Sequence, residues 1–331
     1  MKKIIALLLT AVFVLASAVT AYAAVPEPVL TSKAGIVMNA DTGEVYWSKD
    51  AETQYYPASI TKVMTALLVM EKCKNLDETV TFSKTATTNL ESGAVTIQLE
   101  EGDKLSVREC LYALMLKSAN EVANGLAEHI AGSVSAFADM MNQRAKELGC
   151  TNTHFVNPNG LNNENHYTTA HDMALITAAA FKYEELRKID TTQSHKLPPT
   201  KKYPDGLTLK INNKILMPGH EKYYQYALAG KTGYTSKAKN TLVTMAQKDN
   251  VRLVTVTLKN TKYLGHYDDT KAMFEYGFEK AAASPQPAQN TAETAAESTA
   301  ETAAETAAAE TAAGPSGETT AELVGPGVTE Q

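Results

Sequence analysis

Apolar positions follow two different periods along this chain. Gly35-Ile36-Val37-Met38-Asn39-Ala40 and Glu44-Val45-Tyr46-Trp47 flank Asp41-Thr42-Gly43, a pair of apolar runs around a turn tripeptide that predicts a β-hairpin. From Ser59 to Cys73 the period lengthens. Ile60, Val63, Met64, Leu67, Leu68 and Met70 recur at helical spacing with no Gly or Pro between them, so a mostly buried helix should begin just after Pro57. Ser106 to Leu116 and Glu121 to Ile130 repeat the helical pattern on either side of the polar step Lys117-Ser118-Ala119-Asn120. Ala136 to Leu148 and Ala170 to Ala180 read as further helices, separated by an Asn-, Pro- and Gly-rich loop at Asn157 to His166. Tyr226 to Ala229, Leu242 to Ala246 and Val251 to Leu258 are β-rich runs divided by polar turns, and Tyr267 to Phe278 closes as a helix. Late strands adjacent in sequence predict an antiparallel sheet, with the first and last elements joined across a helical insert.

The two ends depart from this pattern. Lys2-Lys3, the apolar run Ile4 to Leu15 and Ala21-Tyr22-Ala23 have the order of an export signal, with cleavage expected before Ala24. From Pro285 onward Thr-Ala-Glu and Thr-Ala-Ala-Glu units repeat, almost without large apolar residues, so this segment cannot bury enough surface to offset its ordering entropy. The expected division is therefore a signal peptide over 1–23, a folded body over 24–283 and a disordered acidic tail over 284–331. The tail has no amphipathic stripe, so membrane anchoring is not supported.

Charge sharpens the picture. The chain has 31 basic and 37 acidic residues. The tail takes eight of the acidic ones and the signal two of the basic ones, which leaves 29 of each sign in the body. A neutral body offers no broad basic face, which argues against nucleic acid as a partner. Cys73, Cys110 and Cys150 lie in apolar or helical contexts without CxxC spacing and read as structural thiols, with a Cys73–Cys110 bridge left open. The seven histidines show no paired spacing, so neither a metal nor another cofactor is expected.

Three short motifs carry the chemistry. In Ser59-Ile60-Thr61-Lys62 a hydroxyl and an amine three residues apart share one helical face. Serine is a weak nucleophile until a base accepts its proton, and a lysine whose pKa is lowered by burial can be that base. Ser236-Lys237-Ala238-Lys239 matches the same spacing but lies in a polar turn and is assigned no role. Ser118-Ala119-Asn120 interrupts the helical period, which would set two polar side chains at a cleft. Lys231-Thr232-Gly233 follows a strand, where Gly permits close backbone approach of a ligand. Composition alone yields roughly one chance Ser-x-x-Lys per chain but fewer than about 0.1 chance Lys-Thr-Gly.

In combination the motifs resemble those of penicillin-binding proteins and serine β-lactamases, and more closely the D-alanyl-D-alanine carboxypeptidases. Tyr56 to Lys62, Thr153 to Leu161 and Tyr167 to Ala174 are similar to further stretches of that family, and the likeness runs from about Val29 to Phe278. The resemblance implies an α/β fold of the β-lactamase/DD-peptidase (transpeptidase-like) type: a mainly antiparallel sheet flanked by helices, with an all-helical insert. It also implies that Ser59 attacks the penultimate D-alanine carbonyl of a peptidoglycan stem peptide, Lys62 takes its proton and Ser118 relays one to the leaving D-alanine. Asn120 would hold the substrate amide. Lys231 would add positive potential, Thr232 and His266 would face the terminal carboxylate, Gly233 would belong to the substrate-binding edge, and the N–H groups of Ser59 and Tyr234 would meet the oxyanion. β-Lactams are the implied covalent inhibitors, and the implied setting is extracytoplasmic wall maintenance. Asp172 reads as a helix cap and Asn159 as a loop-shaping residue. His266 stands where members of the family often carry Arg, so its imidazole should be only partly charged near neutrality. A D,D-endopeptidase or a catalytically weak wall-sensing protein are the alternatives on this scaffold. A class A β-lactamase fits less well, because no Glu-x-x-x-Asn stands between Asn120 and Lys231.

A chain ending at Ser284 should fold and keep kcat/KM within about threefold, a shift below ~1 kcal/mol. A loss of about a hundredfold on truncation, or tight binding of the full chain to pure lipid vesicles, would overturn the reading of the tail as a non-anchoring spacer.

Overall fold

The computed structural model describes residues 26–283 except 89 and 92; the export signal and the acidic tail predicted above lie outside the described residues. The first hairpin forms as expected from β1 (Ala34–Asn39) and β2 (Val45–Lys49). Asn39 closes its turn, its Oδ1 accepting from the N–H groups of Asp41 and Thr42 at 2.9 and 3.0 Å. A 3₁₀ turn, Ala58–Thr61, then runs directly into α1 (Lys62–Lys72).

The helical insert follows. It contains β3 (Thr79–Thr81), α2 (Lys84–Thr88), β4 (Lys104–Ser106), α3 (Val107–Tyr112), a π-helical turn at Ala113–Lys117, α4 (Asn120–Ala131) and α5 (Val134–Glu147). Ser106 and Ser133 cap α3 and α5 by accepting from the N–H groups of Glu109 and Ala136, each at 3.1 Å. The polar step that breaks the helical period is therefore real, and the single helix expected over Ser106 to Leu116 is an α segment continued by the π turn. After a long loop come α6 (Ala170–Ala180), α7 (Glu184–Thr191), β5 (Ser194–Leu197) and β6 (Leu207–Lys210). The chain ends its described part with β7 (Ala227–Thr235), β8 (Lys239–Lys248), β9 (Val251–Asn260) and α8 (Gly265–Ala283).

Five strands form one antiparallel sheet in the order β2-β1-β9-β8-β7. The first and last strands are thus joined across the insert, β1 pairing with β9 from Ala34–Leu258 to Asn39–Leu253. Thr241 to Ala246 on β8 and Leu253 to Leu258 on β9 are buried without interruption, so both faces of the sheet are covered. α8 packs against β1, β2, β8 and β9, while α6 packs against β1, β8 and β9 and carries α1 on its other side. This is the α/β architecture that the resemblance implied.

The sequence pattern missed the two-stranded pairs β3–β4 and β5–β6 and the helix α7. β3 and β4 have three residues each, too few to show an alternation. β5 and β6 bury one residue each, Leu197 and Leu209. Cys73, Cys110 and Cys150 are buried free thiols.

Asp269, on α8, holds the start of the fold to its end. Its carboxylate accepts from the N–H of Thr31 (3.0 Å), the N–H and Oγ of Ser32 (2.7 and 2.6 Å) and Nδ2 of Asn260 (3.0 Å). Removing it leaves several buried donors without a partner, each costing about 1–3 kcal/mol. Asp269→Ala should therefore lower unfolding free energy by roughly 3 kcal/mol, read as a lower urea midpoint at unchanged m-value. A loss below about 1 kcal/mol would show that water takes over these contacts.

Candidate active site

The Ala58–Thr61 turn is fixed by threonine side chains that donate to nearby carbonyls and by glycines that pack closely against it. Ala58 has φ +52°, a left-handed conformation that few L-residues adopt. Thr241 Oγ1 donates to Pro57 O at 2.9 Å and Thr65 Oγ1 donates to Pro158 O at 2.6 Å. Gly160, at φ +87°, lies against the Ala58 carbonyl, where any Cβ would collide. An ideal Cβ on Gly233 would come 2.9 Å from Ser59 N and collide with Thr241 Oγ1, so only glycine lets β7 approach the turn this closely.

Ser59 is half-buried at the end of this turn, and Lys62, the first residue of α1, is completely buried behind it. Lys62 Nζ donates to Asn120 Oδ1 at 2.7 Å and to Asn159 O at 2.6 Å, and lies 3.2 Å from Ser59 Oγ. A neutral amine has two N–H bonds and one lone pair. The two fixed oxygens take the two donors, which leaves the lone pair for the Ser59 hydroxyl proton. Burial, and then the nearby Lys231 cation, push the Lys62 pKa well below its ordinary value; Glu121 opposes them. Lys62 therefore gains its proton, and ceases to be a base, only as pH falls.

The Ser-Ala-Asn motif sits where the π turn meets α4. Ser118 has φ +64°, and its buried Oγ has no hydrogen-bond partner. This strained, unsatisfied hydroxyl lines the same cleft as Ser59, with its hydrogen-bonding capacity unused by the protein. Asn120 differs from expectation. Its Oδ1 receives Lys62, while its N–H and Nδ2 donate to Val95 O at 2.9 and 3.0 Å. Only 3% exposed, it holds the lysine and the 95–99 loop rather than presenting an amide to the cleft.

β7 is the outer strand of the sheet. Gly230 turns both backbone groups outward: its N–H donates to Asp190 Oδ2 at 2.6 Å, and its carbonyl accepts from Asn213 Nδ2 at 2.9 Å. Pairing with β8 is regular from Gly230 to Thr235, so Thr232 and Tyr234 share this outward orientation by alternation. Lys231 is buried, with Nζ donating to Thr232 O at 3.1 Å. Burial lowers its pKa to about 8, opposed by Asp190. Burial raises Asp190 to about 7, opposed by the Gly230 N–H and by Lys231.

The loop before α6 completes the back wall. His166 Nδ1 accepts from Val156 N–H at 3.1 Å, which leaves Nε2–H to donate to Thr61 Oγ1 at 2.9 Å. Burial lowers this imidazole to about 3, so it is neutral. Thr169, not Asp172, caps α6; Asp172 instead accepts from Asn152 N–H at 2.9 Å and Thr153 Oγ1 at 2.7 Å. Asn159 shapes its loop as expected, with Oδ1 accepting from Leu161 N–H at 2.9 Å, and its carbonyl also receives Lys62.

These groups line a cleft of about 710 Å³ that contains Ser59, Ser118, Thr232, Gly233, Tyr234 and His266. Tyr234 is 63% exposed at its mouth. His266 requires a correction. It is buried, and burial outweighs Asp269 and Asp268 to lower its pKa to about 4, so the imidazole is neutral rather than partly charged near pH 7. Lys117, Lys210 and Lys214 also line the cleft, and among the described residues no carboxylate lines it. These lysines, with Glu121 and Asp190, escaped the sequence reading. Glu121 left no distinct signal there, since its helix also carries Asn124, Glu128 and His129. Ser236 and Lys237 lie outside the cleft, Lys237 standing over the Tyr56 ring at 5.4 Å.

Residues 21–262 match the model of a family described as D-alanyl-D-alanine carboxypeptidase. The chain is 32% identical to the D-alanyl-D-alanine carboxypeptidase DacF of Bacillus subtilis, over 88% of this chain and 74% of that one. Among solved structures, the Streptomyces K15 DD-transpeptidase superposes with a TM-score of 0.71 at 31% identity, covering 77% of this chain and all of that one. A D-alanyl-D-alanine carboxypeptidase from Mycobacterium tuberculosis gives 0.70 at 29%, covering 80% and 96%.

Removing the Lys231 cation relieves one of the two effects that depress Lys62. Lys231→Ala should therefore shift the acidic limb of the Ser59 acylation profile to higher pH, and lower kcat/KM by roughly ten- to a hundredfold through lost anion binding. Stopped-flow acylation from pH 5 to 9 checks this; an unmoved acidic limb would show that Lys231 does not tune the base.

Proposed function

The chain belongs to the D-alanyl-D-alanine carboxypeptidase family, and we propose that it is a serine hydrolase in which Ser59 and Lys62 remove the terminal D-alanine of peptidoglycan stem peptides. One observation carries the assignment of residues: a fully buried Lys62 whose Nζ is fixed by Asn120 Oδ1 and Asn159 O and stands 3.2 Å from Ser59 Oγ.

In this mechanism Ser59 Oγ attacks the carbonyl carbon of the penultimate D-alanine while Lys62 Nζ accepts its proton. The carbonyl oxygen becomes an oxyanion between the N–H groups of Ser59 and Tyr234. The outward alternation of β7 and the close approach permitted by Gly233 support this placement. Lys62 then carries the proton, and Ser118 Oγ relays it to the leaving amine. The unpartnered state of that hydroxyl supports the role. Water attacks the acyl-enzyme, Lys62 again serves as base, and Ser59 is restored. Asn120, Asn159 and Glu121 act behind the reacting atoms, as the frame that orients Lys62 and the 95–99 loop.

The terminal carboxylate is held by positive potential from Lys231 and by the Thr232 hydroxyl. His266, neutral in its buried position, contributes a hydrogen bond rather than charge. Lys214, half-buried in the same cleft, adds to this potential together with the exposed Lys117 and Lys210. β-Lactams enter the same chemistry as covalent inhibitors, because ring opening leaves no diffusing amine and the acyl group stays on Ser59. The Lys2-Lys3, apolar and Ala-Tyr-Ala pattern supports export to the wall, where the substrate is found and where trimming bears on cell shape. Among the described residues no helix is long and apolar enough to cross a membrane.

Incubation with benzylpenicillin should give a single adduct, mapped by peptide mass spectrometry to Ser59, and the protein should release D-alanine from a D-Ala-D-Ala pentapeptide. An adduct on Ser118 or Ser236, or none on folded protein, would sink this assignment.

A further inference from the structure

The two helices that carry the site begin beside Ser59 and end beside each other at the far side of the insert. Lys62 opens α1 and Cys73 directly follows it; Asn120 opens α4 and His129 lies in its last turn. At these ends the Cys73 Sγ, a Glu78 carboxylate oxygen and a His129 ring nitrogen all lie within 4.8 Å of one another. Glu78 Oε1 stands 3.7 Å from His129 Nε2. We propose that Cys73, Glu78 and His129 bind one zinc-class divalent cation, which clips the distal ends of α1 and α4 together.

The donor chemistry selects the ion. One thiolate, one imidazole and one carboxylate suit Zn²⁺, whereas Ca²⁺ and Mg²⁺ take oxygen ligands almost alone. The spacing fits as well. Donors about 2.0–2.2 Å from a tetrahedral ion stand roughly 3.4 Å apart, so the Glu78–His129 pair needs only a small closing movement. The surroundings favour a cation, because the last carbonyls of α1 and α4 bring the partial negative charge of two helix ends to this spot.

The segment between the ligands is also a built one. Asn75 Oδ1 accepts from Asp77 N–H at 3.0 Å, and Glu78 O accepts from Val107 N–H at 3.0 Å, which ties the turn to the start of α3. Cys73 is buried while Glu78 and His129 are partly exposed, so an ion can enter from solvent and keep a water in its remaining position. Binding is an exchange in which the Cys73 S–H bond breaks, the S–Zn bond forms and the proton leaves to solvent. The eleven residues of α1 place the ion roughly 16 Å beyond Lys62. Its effect is therefore on the rigidity of the insert and not on the reacting atoms.

The test uses the reduced full-length chain and the metals alone. Titration with Zn²⁺ should show one equivalent bound at micromolar affinity or tighter, with the melting temperature raised by about 3–5 °C. Co²⁺ should give a thiolate-to-cobalt charge-transfer band in the near ultraviolet. Cys73→Ala, Glu78→Gln and His129→Gln should each weaken binding by about tenfold or more, whereas Cys150→Ala should not. Glu78 and His129 are exposed enough for their variants to fold even if Cys73→Ala does not. Penicillin acylation at Ser59 should stay within about twofold with and without Zn²⁺. No Zn²⁺ uptake below about 100 μM, uptake that survives His129→Gln and Glu78→Gln, or a cobalt complex without the charge-transfer band would overturn the proposal.

Discussion

A single buried amine sets the terms for the rest of this structure. Lys62 is wholly removed from water, so its charged form is strongly disfavoured and its hydrogen bonds must be made by the protein. Asn120 and the Asn159 carbonyl meet that need. To supply them, the start of α1, the start of α4 and the loop before α6 must converge on one point. The helical insert and the loop before α6 are thereby tied to the same atom, and the fold of each is a condition for the basicity of the lysine.

The backbone pays for this convergence in strain. Ala58 and Ser118 both adopt left-handed φ on the two sides of the cleft, and neither is glycine. Each such residue costs on the order of 1 kcal/mol or more, and persists only where surrounding contacts over-determine it. Those contacts are identifiable: Thr241 on Pro57, Thr65 on Pro158, and Gly160 and Gly233 admitting close backbone approach. The active site is therefore a place where stability is spent to fix geometry.

Much of this was legible in the sequence, and the limits have physical reasons. The helical period from Ile60 to Met70 and the three motifs in order pointed to Ser59, Lys62, Ser118 and the β7 edge, which the structure brings together around one cleft, because each motif depends on local spacing. What depends on long-range packing was not visible. Asn120 looked like a substrate ligand, but its burial and its contacts with Lys62 and Val95 make it part of the frame. His266 looked half-charged because its unperturbed pKa lies near ~6.5, yet burial lowers it to about 4. The Asn159 contact is made by a backbone carbonyl, which no residue type advertises. Cys73 and Glu78 share one short connection after α1, but His129 comes from α4, so their proximity shows in no ligand spacing along the chain.

The outward-facing backbone of β7 has a further consequence. An unpaired strand edge is normally a hazard, since any extended chain can add to it. Here the edge opens into the cleft beside Ser59, so an extended peptide can lie along it as a sixth strand of the sheet. Recognition of that kind reads main-chain groups and is largely indifferent to the side chains further along. It also imposes a handedness test: a residue of inverted configuration seats its methyl group on the opposite face of the added strand from an L-residue. Selectivity for D-alanine would then arise from sheet geometry at the edge, with the pocket itself needing little more than space and positive charge.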